Sequence, residues 1–430
     1  MFDVTLFGLV WLIITSWCFI KKDIKYMFSI TLLFMAFQSC NVFYLGELGI
    51  GPGILTSLLF VIKTAIRSVG KLHYYKKDRF LLILMYLLIL FVFFSSAMNG
   101  TIRKQLMLIF QLLGYILCFT CINFVKRELD TETVYHTIRS ILIFLSVVGL
   151  IQFLTTSEIL PLRSVLEPLF YNDPSTDVVF HKSHYTRVMS TFMEPSYYAG
   201  IAVGGFYYLL SLQTKWKKNA WLLLLLLIEI ILTKSSTAYG AFFLVGILFF
   251  LFAKNIGTSW KITGIVVAGI GFCIVFFMFY DLLDAVIFSK DTTGSFSTRT
   301  RMNNRALQAF ESSMLYGVGY KNCRGSSIVY SLLGELGIIG LSLYAVINAT
   351  IIVPTFKNKK GLSAVDHYTD AARFAVLSAF ICQIIACPDL DLCTYWFWLY
   401  CFGSLSLPSQ SVSTKTSKRL TNRMVSVKEG

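Results

Sequence analysis

Apolar runs of about 17–22 residues, each long enough to cross a bilayer as a helix, recur along this chain and are separated by short clusters of lysine and arginine. That alternation confines the chain to an all-α, polytopic integral membrane protein. Composition agrees. Of 430 residues, 56% are hydrophobic and 14% charged, whereas soluble domains hold about 45–50% apolar and about 25% charged residues. So much apolar surface cannot be hidden in soluble cores while so few charges cover the outside, which excludes an ordinary soluble enzyme. A disordered chain is excluded as well, because 38 phenylalanines and 22 tyrosines do not belong to a charged, low-complexity sequence.

The runs lie near residues 3–20, 27–45, 49–66, 80–98, 105–124, 136–155, 195–212, 219–233, 237–253, 262–281, 327–350, 371–387 and 393–408, about thirteen spans by length. An odd number puts the termini on opposite sides. With the N-terminus outside, Lys21, Lys22, Lys25, the stretch from Arg67 to Arg79, Lys126, Arg127, Lys215 to Lys218, Lys357 to Lys360 and the tail from Lys415 to Lys428 all face the cytoplasm, as the positive-inside rule requires. The net charge of +15 therefore orients the chain and does not mark a nucleic-acid surface. The first run is expected to stay as an anchor, since its basic residues follow the apolar stretch. The expected divisions are N-terminal helices at 1–155, a first large outer loop at 156–194, central helices at 195–281, a second large outer loop at 282–326, C-terminal helices at 327–408 and a cytoplasmic tail at 409–430.

Loops as long as the two outer ones are usually functional or disordered, and their aromatic and apolar residues argue against disorder. The first ends in Phe192-Met193-Glu194-Pro195-Ser196. Proline suits the first turn of a helix, and an acid there is favoured by the unpaired N–H groups and the dipole. Glu194 is thus either a capping acid or a carboxylate able to orient or deprotonate a hydroxyl at the bilayer surface. In the second loop, at about 100° per residue, Arg301, Arg305, Gln308 and Ser312 share one face, with Leu307, Phe310 and Met314 opposite. With Arg299 and Arg324, four arginines stand where the topology rule would not place them. Guanidinium groups hold phosphate oxygens in a bidentate geometry, and Arg187 in the first loop is a fifth candidate. The bland reading is snorkelling toward anionic headgroups.

Other candidates are less specific. His181 and His184 could share a helical face as metal ligands, but no further acid stands nearby and no metal is expected. Cys118 and Cys121 form a C-x-x-C inside an apolar run, where small buried side chains are the simpler reading. Cys387 and Cys393 flank the turn containing Asp389 and Asp391, and a disulfide there is one option. Glu229 is an intramembrane acid and a functional suspect, with Lys234 or Arg187 as its expected partner. No P-loop, dinucleotide fingerprint, Ser-His-Asp pattern or zinc motif occurs, so no nucleotide or other cofactor is expected.

The segment Arg301-Met-Asn-Asn-Arg305 through Gly317-Val-Gly319-Tyr320, followed by Leu332-Leu-Gly-Glu335-Leu-Gly337-Ile-Ile-Gly340, resembles the O-antigen polymerase and ligase superfamily, and its Wzy-type polymerases in particular. There an arginine-bearing helix is followed by a Gly-x-Gly turn and a Leu-Leu-x-Glu-x-Gly-x-x-Gly span. Glu194-Pro195-Ser196 is similar to the family's Glu-Pro-Ser element. Ligases of the superfamily carry a histidine at the position of Ser326, a departure that favours the polymerase branch.

The resemblance implies a glycosyltransferase of the bacterial inner membrane, with its N-terminus and active site facing the periplasm. It would move a growing glycan from undecaprenyl diphosphate onto a lipid-linked repeat unit, with a chain-length regulator and a flippase as expected neighbours. Glu194, Arg187, Arg301 and Arg305 are then the catalytic candidates. Arg299, Arg324, Gln308 and Tyr320 are the substrate-binding ones. A ligase, a flippase or secondary transporter, and a membrane scaffold are the competing readings. Transporter sites usually lie near the midplane between internal repeats, whereas the polar residues here gather in the loops.

Overall fold

The computed structural model of the chain describes residues 2–46, 48–67, 78–173, 186–253, 294–356 and 364–406. The N-terminal half contains β1 (Phe2–Val4), α1 (Leu6–Ile20), α2 (Ile24–Met35), β2 (Phe43–Leu45), β3 (Leu48–Ile50), α3 (Pro52–Arg67), α4 (Arg79–Met98), α5 (Ile102–Val125), α6 (Thr131–Thr156) and α7 (Arg163–Phe170). The C-terminal half contains α8 (Pro195–Ser211), α9 (Trp216–Leu232), α10 (Ser236–Phe252), α11 (Gly294–Ser312), α12 (Ile328–Phe356), α13 (Ala364–Ala386) and α14 (Cys393–Leu405). The strands form one small antiparallel sheet in the order β1-β2-β3, pairing Phe2 with Leu45 and Phe43 with Ile50.

Among the described residues five helices are long and apolar enough to cross a membrane: Arg79–Met98, Ile102–Val125, Thr131–Thr156, Ile328–Phe356 and Asp366–Ala386. The expected run at 262–281 lies outside the described residues, as do His181 and His184. A helix occupies each of the other expected runs, several of them shorter than anticipated. The run at 27–45 is cut most: α2 stops at Met35, and the chain turns into the extended segment that ends in β2. Helix starts follow local chemistry. The Thr5 hydroxyl accepts the Gly8 N–H at 2.8 Å, Asp23 accepts from Lys25 N at 2.9 Å, and Asp130 accepts from Glu132 and Thr133 N at 3.0 and 3.1 Å, each filling donors that a first turn leaves open.

The centre is built from α8, α13 and α14. Every residue from Thr394 to Leu405 of α14 is buried, as expected of a helix apolar on all sides. Glycines on α8 admit it. A Cβ at Gly200 would stand 2.4 Å from Thr394 Cγ2, and one at Gly204 2.4 Å from Trp398 Nε1. That close approach lets the Trp398 indole donate to Gly200 O at 3.0 Å, the small-residue packing that membrane helices rely on. Peripheral helices instead expose large apolar side chains, among them Phe80, Ile83, Leu87, Leu90 and Phe93 of α4. Such a face belongs against lipid.

Charge separates the two ends of the bundle. At one end lie Lys25 with Asp130, Arg67 with Glu128, Lys215 with Glu132, and Lys126 with Asp78. Buried Lys126 also donates to Ser406 O at 3.1 Å. Glu194, the 313–327 connection and the turn at 387–392 gather at the other end.

Candidate functional site

The site begins with the glycines between α11 and α12. Gly317 takes φ +68° and Gly337 φ +63°, a region that costs other residues about 1–2 kcal/mol. A Cβ at Gly317 would lie 2.3 Å from the Glu335 carbonyl carbon, and one at Gly337 2.5 Å from that of Leu315. Each glycine thus leaves room for the backbone beside the other. The result is a lock: Val318 N donates to Gly334 O and Gly319 N to Glu335 O, both at 3.0 Å, and Ile338 N donates to Met314 O at 2.9 Å. Gly337 also breaks α12, so a short helical piece at 328–336 precedes the long one at 338–356.

Helix α11 packs on that short piece through small residues. Its Ala306 meets Gly334, and Asn303 Oδ1 accepts Ser326 N–H at 2.9 Å. This corrects the expected apolar face. Leu307 and Met314 are exposed because the closest approach falls to the smallest side chains, and because Met314 lies past the end of the helix. The arginine face forms as expected: Arg301, Arg305 and Gln308 are exposed and Arg299 is half-buried. Among the described residues no acidic side chain pairs with Arg299, Arg301 or Arg305. Arg305 stands within electrostatic reach of Cys323, whose thiol is pushed up by burial and by Glu335.

From Gly319 the chain descends. The Gly319 Cα lies against Thr101 at the α4–α5 turn, and Asn99 Nδ2 donates to Gly317 O at 3.1 Å. Lys321, held at φ +56°, pairs with Asp389 at 2.6 Å and Asp391 at 2.8 Å. Arg324 Nη2 donates to Asp389 Oδ2 at 2.6 Å and to the Tyr197 hydroxyl at 2.8 Å, and that hydroxyl donates to Asp389 Oδ2 at 3.1 Å. Burial alone would push the Asp389 carboxyl up, but Lys321 and Arg324 hold it below the usual carboxylate range. Burial would likewise pull Lys321 and Arg324 down, and their carboxylate partners hold both above their usual ranges. Buried Tyr320 packs beside Asp391.

This network lies at the start of α14, at the end of the bundle away from the basic clusters. The Tyr400 hydroxyl donates to Tyr115 O at 3.2 Å, and Tyr115 stacks on Trp396 with centroids 5.6 Å apart. These contacts pack the first turns of α14 against the middle of α5. Exposed Glu194 borders this network, within electrostatic reach of Tyr197. It stands at the N-cap of α8, yet its carboxylate caps no backbone N–H; it accepts the Ser196 hydroxyl at 3.0 Å. Of the two roles open to it, capping is not the one its side chain performs.

Among the expected residues, Glu194, Tyr320 and Arg324 come together on this surface, with Arg305 near Cys323. Arg187 is anchored at the end of α9, donating to Thr233 O and Lys234 O, both at 2.9 Å. Lys321 and Tyr197 escaped the sequence reading, and Asp389 and Asp391 entered it only as parts of the turn between two cysteines. The available signal was two acids two residues apart in a turn between apolar helices. Cys387 and Cys393 do not pair: both are free thiols, and Cys387 donates to Ser196 O at 3.5 Å. Glu229 binds neither expected cation. It accepts the Tyr198 hydroxyl at 2.6 Å and that of Ser146 at 2.8 Å. No group of three His, Cys, Asp or Glu that could hold a metal occurs among the described residues.

Helices that cross a membrane, with a charged cluster at the end of their bundle, define a multi-pass membrane protein with a polar site. Residues 221–331, from α9 to the first turn of α12, match the family model described as O-antigen ligase. That match supports the O-antigen polymerase and ligase superfamily. No curated protein matches the chain.

Proposed function

We propose that the protein is a surface-glycan polymerase that transfers a growing glycan from undecaprenyl diphosphate onto the sugar of a lipid-linked repeat unit. The observation that carries this reading is the arginine face of α11, which has no acidic partner among the described residues and lies inside the matched segment, near a charged cluster bordered by the exposed Glu194. In the reaction the bond between the anomeric carbon and the diphosphate oxygen breaks, and a bond from an acceptor hydroxyl oxygen to that carbon forms. Negative charge develops on the departing diphosphate, and preorganised cations aimed at it are the main electrostatic requirement. Arg301 and Arg305 meet that need without first giving up a carboxylate, with Arg299 and Gln308 on the same helix. Arg324 is tied through one nitrogen only, so its half-exposed guanidinium can add a contact to the diphosphate. Glu194 takes the proton of the acceptor hydroxyl. The energy comes from the glycosyl diphosphate bond, so no nucleotide is needed.

On this reading the site end faces the periplasm and the basic end the cytoplasm. Replacing Arg301 and Arg305 together with alanine should lower elongation of lipid-linked repeat units by purified protein on the order of a hundredfold or more, the usual loss for an oxyanion donor. Full-length polymer from that variant at normal expression would remove the assignment. The ligase reading draws on the description of the matched family. It predicts that a deletion strain accumulates long polymer on its lipid carrier, whereas loss of a polymerase leaves single repeats attached to the acceptor. Elongation by the purified protein without an ion gradient would exclude a transporter.

A further inference from the structure

Glu229 is fully buried on α9, and its partners are hydroxyls from two other helices. Tyr198 of α8 and Ser146 of α6 both donate to Oε2, at 2.6 and 2.8 Å. Oε1 faces Gly149 of α6, where a Cβ would stand 3.1 Å from it and 3.1 Å from Val188 Cγ1. A carboxyl withdrawn from water is costly unless it is bonded, so its location calls for a purpose beyond filling space. Tyr198 supplies one. It is the neighbour of Tyr197 in the first turn of α8, and the two hydroxyls are held by different carboxylates, Tyr197 by Asp389 and Tyr198 by Glu229. The first turn of α8 is thereby fixed in rotation, and Glu194 precedes it through Pro195. The strap leading to Glu194 rests on the same spot: Val188 N donates to Leu232 O at 3.1 Å, Met189 N to Gln152 Oε1 at 3.1 Å and Ser190 Oγ to Leu145 O at 2.7 Å.

We propose that Glu229 is a positioning residue that sets the rotation of the first turn of α8 through Tyr198, and so aims Glu194 and Tyr197 toward the charged cluster of Lys321, Arg324 and Asp389. This rests on the polymerase reading for its consequence in catalysis, and not for the geometry. The test uses the full chain in neutral detergent. Glu229→Gln keeps an oxygen able to accept both hydroxyls and should retain activity within about threefold, whereas Glu229→Leu should lower kcat on the order of tenfold to a hundredfold with the donor KM unchanged. Tyr198→Phe should fall similarly, and the double variant should fall no further than the worse single one, as expected for residues acting as one unit.

Spin labels at positions 193 and 322 give a readout apart from turnover. Their distance distribution should broaden in Glu229→Leu and match wild type in Glu229→Gln. Unchanged kcat and an unchanged distribution in Glu229→Leu, or additive losses in the double variant, would overturn the inference. Wild-type protein that does not elongate repeat units, together with broadened distances in Glu229→Leu, would remove the polymerase reading while the positioning role stands.

Discussion

Lys321 occupies a left-handed backbone conformation and spends its ammonium on two carboxylates, so its strain and its pairing belong together. Asp389 titrates below its ordinary value and Lys321 above its own. The stabilisation from Asp389 is therefore fully present above the ordinary aspartate value of about 3.9 and is lost only as pH falls through the lower folded value. That from Lys321 is present below about 10.4 and is lost as pH rises through the higher folded value. The network should therefore add no pH dependence between pH 5 and 9, so wild type and Lys321→Met should have parallel thermal unfolding midpoints across that range. Lys321→Met leaves Asp389 with the Arg324 guanidinium and the Tyr197 hydroxyl. It should cost up to about 3 kcal/mol, the low end for breaking a buried pair, and should move the acid loss of stability to higher pH. An acid onset identical to wild type would show that Lys321 does not hold the Asp389 charge.

At the scale of elements, the lock between the end of α11 and the break in α12 sets where the arginine face points. Gly337→Ala places a Cβ 2.5 Å from a backbone carbon at φ +63°. The left-handed conformation alone costs about 1–2 kcal/mol, and backbone must then shift to relieve the overlap. We expect this variant to lose elongation activity while its membrane insertion is kept, because the long helical piece at 338–356 does not depend on the lock. Gly240→Ala on α10 is a useful contrast: a Cβ there would stand 3.2 Å from Cδ1, the far end of the Ile385 side chain, and no positive φ is required. Equal activity of the two variants would count against the lock as the device that aims α11. The 3.6-residue period placed the arginines on one side of α11. It did not tell which small residue would make the contact, since close approach depends on what the partner helix offers.

For the whole molecule, the basic clusters and the Lys321–Asp389 network stand at opposite ends of the bundle, which the positive-inside rule turns into an orientation. A membrane-impermeant maleimide applied to spheroplasts should label Asn322→Cys and spare Lys217→Cys, both on a background with Cys323→Ser; the reverse pattern would invert the proposed topology. The apolar runs and the spacing of basic residues were enough to specify a helical membrane protein, most helix positions and the two segments that would carry charge, because burial in lipid leaves the backbone no other way to satisfy its own polar groups. The arginines of α11 and the acid at Glu194 were legible for the same reason, as charges out of place. Nothing in the order of residues says that Lys321 meets Asp389, that Tyr197 and Tyr198 divide between two carboxylates, or that Arg187 closes the end of α9 instead of joining Arg305. Those pairings join residues far apart in the chain and arise only when α8 packs against α9 and against the turn between α13 and α14, so the tertiary structure alone decided which of the exposed and buried charges meet.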